Sequence, residues 1–350
     1  MKLSILGIAI ILLSTTCKTA KTTSNPNTIS ISSKIDSIAE INNFNGVILI
    51  AKDSVIQYEK AFGYSDLEKK IELKTNNQFY IGSISKQITA VLILQEYERG
   101  NLTLTDKLNS YFPEIKQPWA NNVTIHHLLT HTHGIVAIDE PLEFEVGTQF
   151  QYSQIGFGLL SQILEKINDK SFEEISSELF TEYNLNNTFH PENKKYLSLV
   201  KGYEENETDK FLVAEGNPVK YIGAGGFISN VEDLFKWNIL LHSGKLIKSS
   251  TLNLMKTRYA TRIHPIFDKI EYGYGLVFKD GEHNVQIGAF GYVPGFPSAS
   301  YYYPQTGLNL IVLENVGKKL EDFKITFKTH TDLMSIIKKR ATTTKYSARR

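Results

Sequence analysis

The stretch IGSISKQITA, residues 81–90, places two serines and a lysine at the start of an apolar segment. Residues 84–99 are apolar nearly all round at helical spacing, and Gly100 follows them as a helix stop signal. This pattern predicts a central, buried helix. We therefore expect the fold to be organised around a helix that carries hydroxyl groups and a cation at its start.

Within this stretch, Ser83 and Lys86 are three residues apart and share one helix face, whereas Ser85 points elsewhere. A serine hydroxyl is a poor nucleophile until a base removes its proton, and a lysine is such a base only where its surroundings favour the neutral amine. The same spacing is also found where a serine caps a helix and the lysine is an incidental surface residue. A nucleophilic role for Ser83 therefore needs support from the rest of the sequence.

Segments of β-rich composition lie at both ends of the chain. Residues 46–52 and 55–63 predict one hairpin, and residues 298–304 and 308–316 predict another. The further helices expected between the hairpins are 154–167 and 230–244. Strands at both ends with helices between them predict an α/β (α+β) fold, with one sheet built from both chain ends, flanking helices and an inserted helical lobe.

The composition is that of a globular protein without a strong charge bias. The 350 residues contain 38 Lys+Arg against 37 Asp+Glu, which gives a formal net charge of +1. No bulk field therefore attracts nucleic acid or an acidic membrane, and neither is expected as a partner. We expect one folded domain over residues 35–340, followed by a basic, solvated tail at 341–350.

The N-terminus has the pattern of a secretory signal over residues 1–17: a lysine, an apolar run and then small polar residues. Cys17 is the only cysteine, and its position resembles the lipid-attachment site of bacterial lipoproteins. Ser14 and Thr16 depart from that pattern, so a secreted protein with an unmodified Cys17 stays open. Either interpretation predicts export to the periplasm or cell envelope, with residues 18–34 as a flexible tether and membrane contact only through a lipid anchor.

Five long segments resemble, in the same order, the serine β-lactamase and penicillin-binding protein superfamily, specifically its class C β-lactamase, D,D-peptidase and esterase branch. The resemblance runs from about residue 40 to residue 316 and includes the Ser-x-x-Lys motif at Ser83. It implies the β-lactamase/transpeptidase-like fold with an antiparallel sheet, and catalysis without a metal or cofactor. The segments are FNGVILIAKDSVIQYEKAFGY, FYIGSISKQITAVLILQEYERGNLTLTDKLNSYFPE, TIHHLLTHTHGI, VGTQFQYSQIGFGLLSQILE and GAGGFISNVEDLFKWNILLHSGKL.

By this resemblance, Ser83 is the nucleophile that becomes acylated and Lys86 is its proton-shuttling partner. Tyr152, in YSQ, matches the tyrosine of the family's Tyr-x-Asn motif, whose implied role is general base and proton donor to the leaving group. Phenol and ammonium groups release their protons in a similar pH range, so Lys86 and Tyr152 in one pocket could share a proton. Gln154 stands where the family has asparagine, and its amide could still bond a substrate carbonyl after a small shift.

The third motif of the family is Lys-Thr-Gly or His-x-Gly, and this chain has Ala289, Phe290 and Gly291 at the matching positions. The resemblance places the oxyanion hole at the backbone N–H groups of Ser83 and Tyr292. The missing cation and hydroxyl would have gripped a substrate carboxylate, so β-lactams and D-Ala-D-Ala termini should bind poorly unless another cation substitutes. Gly291 is expected to leave room for a substrate along the strand.

These departures favour an esterase or a peptide or amide hydrolase that acts through an acyl-enzyme on a small-molecule substrate. Two alternatives stay open: a β-lactamase or D,D-carboxypeptidase, and an inactive sensor or binding protein. The sequence does not fix the substrate or the oligomeric state.

Four histidines, His126, His127, His131 and His133, lie in the segment HHLLTHTH. His127 and His131 have the spacing of helical metal ligands, but no carboxylate stands at the metalloprotease position. The matching family segment is a structural turn, so we predict no metal site. His126 and His133 are interpreted as surface variation.

Overall fold

The computed structural model describes residues 30–214, 220–279 and 287–347, with side chains described up to residue 339. The predicted signal over residues 1–17, with its Cys17, lies outside the described residues. So do residues 18–29 of the predicted tether. Within the described ranges, no helix is both long enough and apolar enough to cross a membrane.

Ten α-helices and fifteen β-strands form the described part of the chain. The helices are α1 Ile31–Ile41, α2 Ser85–Arg99, α3 Ile125–Thr130, α4 Gln154–Asn168, α5 Phe172–Glu182, α6 Ile222–Gly225, α7 Val231–His242, α8 Ser249–Lys256, α9 Phe323–Thr326 and α10 Lys328–Ser347. The strands are β1 Gly46–Lys52, β2 Val55–Phe62, β3 Tyr64–Asp66, β4 Ile71–Glu72, β5 Phe79–Tyr80, β6 Tyr203–Glu205, β7 Phe211–Val213, β8 Ile228–Ser229, β9 Ala260–His264, β10 Asp268–Tyr272, β11 Val277–Lys279, β12 Ile287–Val293, β13 Phe296–Tyr303, β14 Leu308–Glu314 and β15 Val316–Gly317.

The largest sheet is antiparallel and has eight strands in the order β2-β1-β14-β13-β12-β11-β10-β9. Both predicted hairpins are present, and β1 pairs with β14 from Gly46 opposite Glu314 to Lys52 opposite Leu308. The two ends of the chain therefore meet in one sheet, which confirms the predicted architecture. The remaining strands form three small sheets of two or three strands each.

The core lies on both faces of this sheet, as the period of two along a strand requires. On β1, Val47 and Leu49 belong to the buried cluster that contains residues of α2, α4 and α7. Ile48 and Ile50 belong to the opposite cluster, which α1 and α10 cover. Helix α2 is buried along most of its length and ends at Gly100 in the left-handed conformation, as its sequence predicts.

Two predicted boundaries differ from the structure. Helix α1 begins at Ile31, inside the expected tether, because the Ser30 side chain accepts a hydrogen bond from the backbone of Ser33 and caps the helix. Helix α10 continues to Ser347, so residues 341–347 of the expected tail are helical. No glycine or proline interrupts them, and the packed start of α10 supplies the helix nucleus.

A buried carboxyl group lies between the sheet and α10. Glu314 Oε1 is 3.6 Å from Lys318 Nζ, and Glu314 Oε2 is 3.9 Å from His330 Nδ1. Burial raises the pKa of Glu314 to about 7, and burial lowers the pKa of His330 to about 3. His330 is therefore neutral near pH 7 and does not compensate the Glu314 carboxylate.

We predict that Glu314→Gln becomes progressively more stable than the wild type as the pH rises from 5 to 8. Between the ordinary pKa of 4.5 and the native pKa of about 7, the folded wild type binds more protons than the unfolded chain, so its stability falls with rising pH. The glutamine variant lacks this proton uptake. Between pH 5 and pH 8, the free energy of unfolding of the variant relative to the wild type should rise by ~2–3 kcal/mol, measured by urea unfolding at both pH values. An equal stability difference at pH 5 and pH 8 would contradict the raised pKa.

Candidate active site

Ser83 lies in the short 3-10 turn Gly82–Ile84, which leads directly into α2. The backbone of this turn packs so closely against the backbone of β12 that no side chain fits between them. A Cβ added at Gly82 would clash with the backbone nitrogen of Tyr292, and one added at Gly291 would clash with the carbonyl oxygen of Ile81. Gly82 also has a φ of +50°. Glycine is therefore required at both contact points.

The hydroxyl of Ser298 fastens this contact, since it lies 2.9 Å from the carbonyl oxygen of Ile81 and 3.2 Å from that of Gly291. The Tyr292 backbone nitrogen consequently lies beside the turn that carries Ser83. A side chain at position 291 would meet Ile81 and Ser298, so Gly291 permits the close approach of the serine turn. Gly291 also lines the cavity described below, and the expectation that it leaves room for a substrate stays a prediction.

Lys86 is 1% exposed, although it is a lysine. Its Nζ donates hydrogen bonds to Ser83 Oγ at 3.3 Å and to the carbonyl oxygen of Ala224 in α6 at 2.5 Å. The same Nζ lies 4.7 Å from the ring centre of Tyr152 and 5.5 Å from that of Phe157. A carbonyl dipole and two aromatic faces thus surround the amine.

Tyr152 also contacts Ser83, and its OH donates a hydrogen bond to Ser83 Oγ at 2.7 Å. It lies two residues before α4, whose first turn is capped by the side chain of Ser153. The ring is 38% exposed, so it is part of a cavity wall and not a core aromatic. Ser83, Lys86 and Tyr152 therefore form one hydrogen-bonded cluster.

The ring of His131 packs against the ring of Tyr152. The two ring centres are 4.6 Å apart, and His131 Nδ1 accepts a hydrogen bond from the backbone of Ser153 at 3.2 Å. Complete burial, and then the charge of Lys86, lower the pKa of His131 well below its usual value. A neutral His131 with Nδ1 as acceptor donates from Nε2 to the hydroxyl of Tyr272, 3.2 Å away.

The other histidines are structural as well. His127 forms a capping box with Thr124 at the start of α3. His133 is fully buried and accepts from the backbone of Ile135, and His126 is half-buried against Tyr274. The interpretation of His126 and His133 as surface variation is therefore wrong, because the loop after α3 folds back under the site. The described ranges contain no group of three or more potential metal-ligating side chains.

A cavity of about 280 Å³ opens in front of this cluster. It is lined by all the predicted side chains except Lys86, which lies behind Ser83: Ser83, Tyr152, Gln154, Ala289, Phe290, Gly291 and Tyr292. Ala289 leaves the cation position of the third motif apolar. Phe290 stacks against Phe267 at 5.1 Å and contacts Phe327 at 4.9 Å. The third motif thus contributes an apolar wall to the cavity.

Sequence reasoning missed one charged residue of this cavity, Arg262 on β9. Its Cζ lies 5.1 Å from the ring centre of Tyr152 and 5.8 Å from that of Phe150. The only signal in the sequence is the alternation in ATRIH, which places Arg262 and His264 on one strand face. Burial lowers the pKa of His264 to about 4, so Arg262 is the cationic member of this pair.

The sequence model of the family described as Beta-lactamase matches residues 33–332 of this chain. The chain belongs to the Beta-lactamase family. This finding confirms the predicted family, its fold and the predicted class of enzyme, a serine hydrolase.

Individual relatives share only about a quarter of their aligned residues with this chain. Penicillin-binding protein 4* of Bacillus subtilis is 27% identical over 331 residues, covering 82% of this chain and 71% of the relative. Teichoic acid D-alanine hydrolase of Staphylococcus aureus is 25% identical over 281 residues, covering 74% of this chain and 69% of the relative. The octameric penicillin-binding protein homologue of Pyrococcus abyssi superposes with a TM-score of 0.71 at 27% identity, covering 81% of this chain and 72% of that chain.

We predict that Gly291→Ala displaces the serine turn, because its methyl group would overlap the carbonyl oxygen of Ile81. Hydrolysis of an activated ester should fall by about 100-fold or more per folded molecule, since a shift of about 1 Å is enough for such a loss. Gly100→Ala is the control, because no atom lies within 4 Å of its added methyl and only backbone strain is introduced. Full activity of a folded Gly291→Ala protein would show that the close approach is not required.

Proposed function

We propose that this protein cleaves esters or amides of small molecules through a covalent acyl-enzyme formed on Ser83. The observation that carries the proposal is the convergence of two proton-transfer groups on one hydroxyl: Lys86 Nζ at 3.3 Å and Tyr152 OH at 2.7 Å from Ser83 Oγ. A serine with two such neighbours can lose its proton as it attacks. This proton transfer and attack need no cofactor.

The proposed reaction has two halves. In the first, Ser83 Oγ attacks the substrate carbonyl while its proton passes to the Lys86–Tyr152 pair, and the backbone N–H groups of Ser83 and Tyr292 stabilise the oxyanion. Tyr152 then returns the proton to the leaving group, and the acyl-enzyme remains. In the second half, the same pair takes a proton from water, and hydrolysis releases the acid and restores the Ser83 hydroxyl.

The walls of the cavity support esters and simple amides as substrates. Ala289 and Phe290 supply neither the cation nor the hydroxyl of the family's third motif, so this strand offers a substrate apolar contacts only. Gln154 is exposed in the cavity, where its amide can meet a substrate carbonyl. The relative named for teichoic acid D-alanine hydrolysis is consistent with this type of bond.

We further propose that the enzyme is exported and acts in the cell envelope. The signal pattern over residues 1–17 and the position of Cys17 support export, either as a secreted protein or with a lipid anchor.

We predict that Ser83→Ala and Lys86→Ala each reduce the hydrolysis of p-nitrophenyl esters by about 10³-fold or more, because members of a catalytic unit fail together. Ser85→Ala is the matched control. Its side chain is fully buried and accepts a hydrogen bond from the backbone of Phe227, away from the cavity. It should keep its activity per folded molecule, with folding checked by thermal unfolding. Retained activity in folded Ser83→Ala would mean that another residue is the nucleophile.

A β-lactamase or D,D-carboxypeptidase activity is the second candidate, and the presence of Arg262 in the cavity favours it. We predict that Ala289→Lys accelerates the acylation of the protein by benzylpenicillin, since it restores the cation of the third motif beside the substrate. The measurement is the rate of covalent adduct formation by intact mass, with Ala289→Met as a control of similar length. Equal rates in the lysine and methionine variants would place the limitation elsewhere.

A further inference from the structure

The side chain of Arg262 enters the cavity from β9 and lies over the face of Tyr152. The guanidinium is half-buried between the Tyr152 and Phe150 rings. Its Nε donates a hydrogen bond to the backbone carbonyl of Ile263 at 3.3 Å, the only hydrogen bond that it donates within the described ranges. The remaining N–H donors of the guanidinium lie beside a cavity that also contains Ser83.

No carboxylate of the described residues lies within ion-pairing distance of Arg262. The other arginines with described side chains do have such partners: Arg258 is 3.0 Å from Glu271, and Arg99 pairs with Glu96 at 2.5 Å. Burial lowers the pKa of Arg262, yet a guanidinium stays charged at any physiological pH. Among the described residues, Arg262 is therefore a partly desolvated cation without a carboxylate partner.

A cation in that position is costly unless an anion joins it, because it has lost part of its hydration without gaining an ion pair. The aromatic faces of Tyr152 and Phe150 compensate only in part. A planar guanidinium also matches a carboxylate in shape, since two parallel N–H groups can bond both of its oxygens. The chemistry of the site thus favours an anionic ligand.

We propose that Arg262 binds an anionic group of the substrate, a carboxylate, in the cavity beside Ser83. The inference deepens the proposed function and rests on it. Arg262 supplies from β9 the cation that the third motif lacks at Ala289. The substrate class narrows accordingly to esters or amides that carry a free carboxylate close to the bond that is cleaved.

The other side chains that line the cavity indicate the nature of the rest of such a substrate. The cavity is also lined by apolar side chains, those of Ile266, Ile270, Phe290 and Phe327. These side chains favour an aromatic or branched aliphatic group, and a volume of about 280 Å³ limits its size to that of a small molecule. A compact substrate with an apolar body and one carboxylate fits the cavity.

The test compares three phenyl esters: neutral phenyl acetate, 3-acetoxybenzoate with the carboxylate on the leaving group, and monophenyl succinate with the carboxylate on the acyl group. The quantity measured is the ratio of kcat/KM for each anionic ester to that for phenyl acetate. We expect the Arg262→Met substitution to lower this ratio by about tenfold or more for one of the two anionic esters. A loss of this size corresponds to the removal of a charge-assisted hydrogen bond. Arg262→Lys should restore part of it.

The matched control is Lys324→Met, which removes a cation near the cavity that is not among its lining residues and lies 3.7 Å from Asp268. It should leave the ratio unchanged, which separates specific binding from a general effect of charge. The ester that loses its advantage identifies whether the carboxylate belongs to the leaving group or to the acyl group. An unchanged ratio for both anionic esters in folded Arg262→Met would overturn the inference while leaving the proposed hydrolase intact.

A binding measurement keeps the two proposals distinguishable if no ester is cleaved. Binding of benzoate to Ser83→Ala is followed by ligand-observed NMR and compared with that to the Ser83→Ala, Arg262→Met double variant. Weaker binding to the double variant by about tenfold supports the anion site even when the proposed hydrolysis fails. Equal binding, or binding to neither protein, overturns it.

Discussion

The burial of Lys86 is the constraint on which the rest of the site depends. Its amine is 1% exposed and has no carboxylate partner among the described residues, so neutral groups must accommodate it. Two separate parts of the chain do so: α6 with the carbonyl of Ala224, and the region at the start of α4 with the rings of Tyr152 and Phe157. Residues before and within α4 and in α6 thus pack around an amine, which donates a hydrogen bond to the Ser83 hydroxyl at the cavity.

The second constraint is the contact between the serine turn and the sheet. Gly82 and Gly291 allow two backbone segments to meet without side chains between them, and Ser298 fastens the contact. The Ser83 turn and the backbone nitrogen of Tyr292 on the sheet consequently lie next to each other. The sheet can fix this position because both ends of the chain build it, with β1 paired to β14 beside the strands that approach Ser83.

Local patterns predicted the hairpins, helix α2 and the pairing of Ser83 with Lys86, because strand alternation, a turn and a three-residue helical spacing are properties of neighbouring residues. The role of Gly291 and the burial of His133 could not be predicted in this way, since each depends on a segment far away in the sequence. Arg262 was not predicted for the same reason. It lies over the ring of Tyr152, which is 110 positions earlier, and its charge matters because position 289 has no lysine.

The central claim is that Ser83 is an activated nucleophile. The most direct measurement treats the protein with a fluorophosphonate and determines the intact mass, followed by peptide mapping of the adduct, beside the Ser83→Ala protein. The account predicts a single adduct on the peptide that contains Ser83, and none in the variant. No adduct on the folded wild type, or the same adduct on Ser83→Ala, would contradict it.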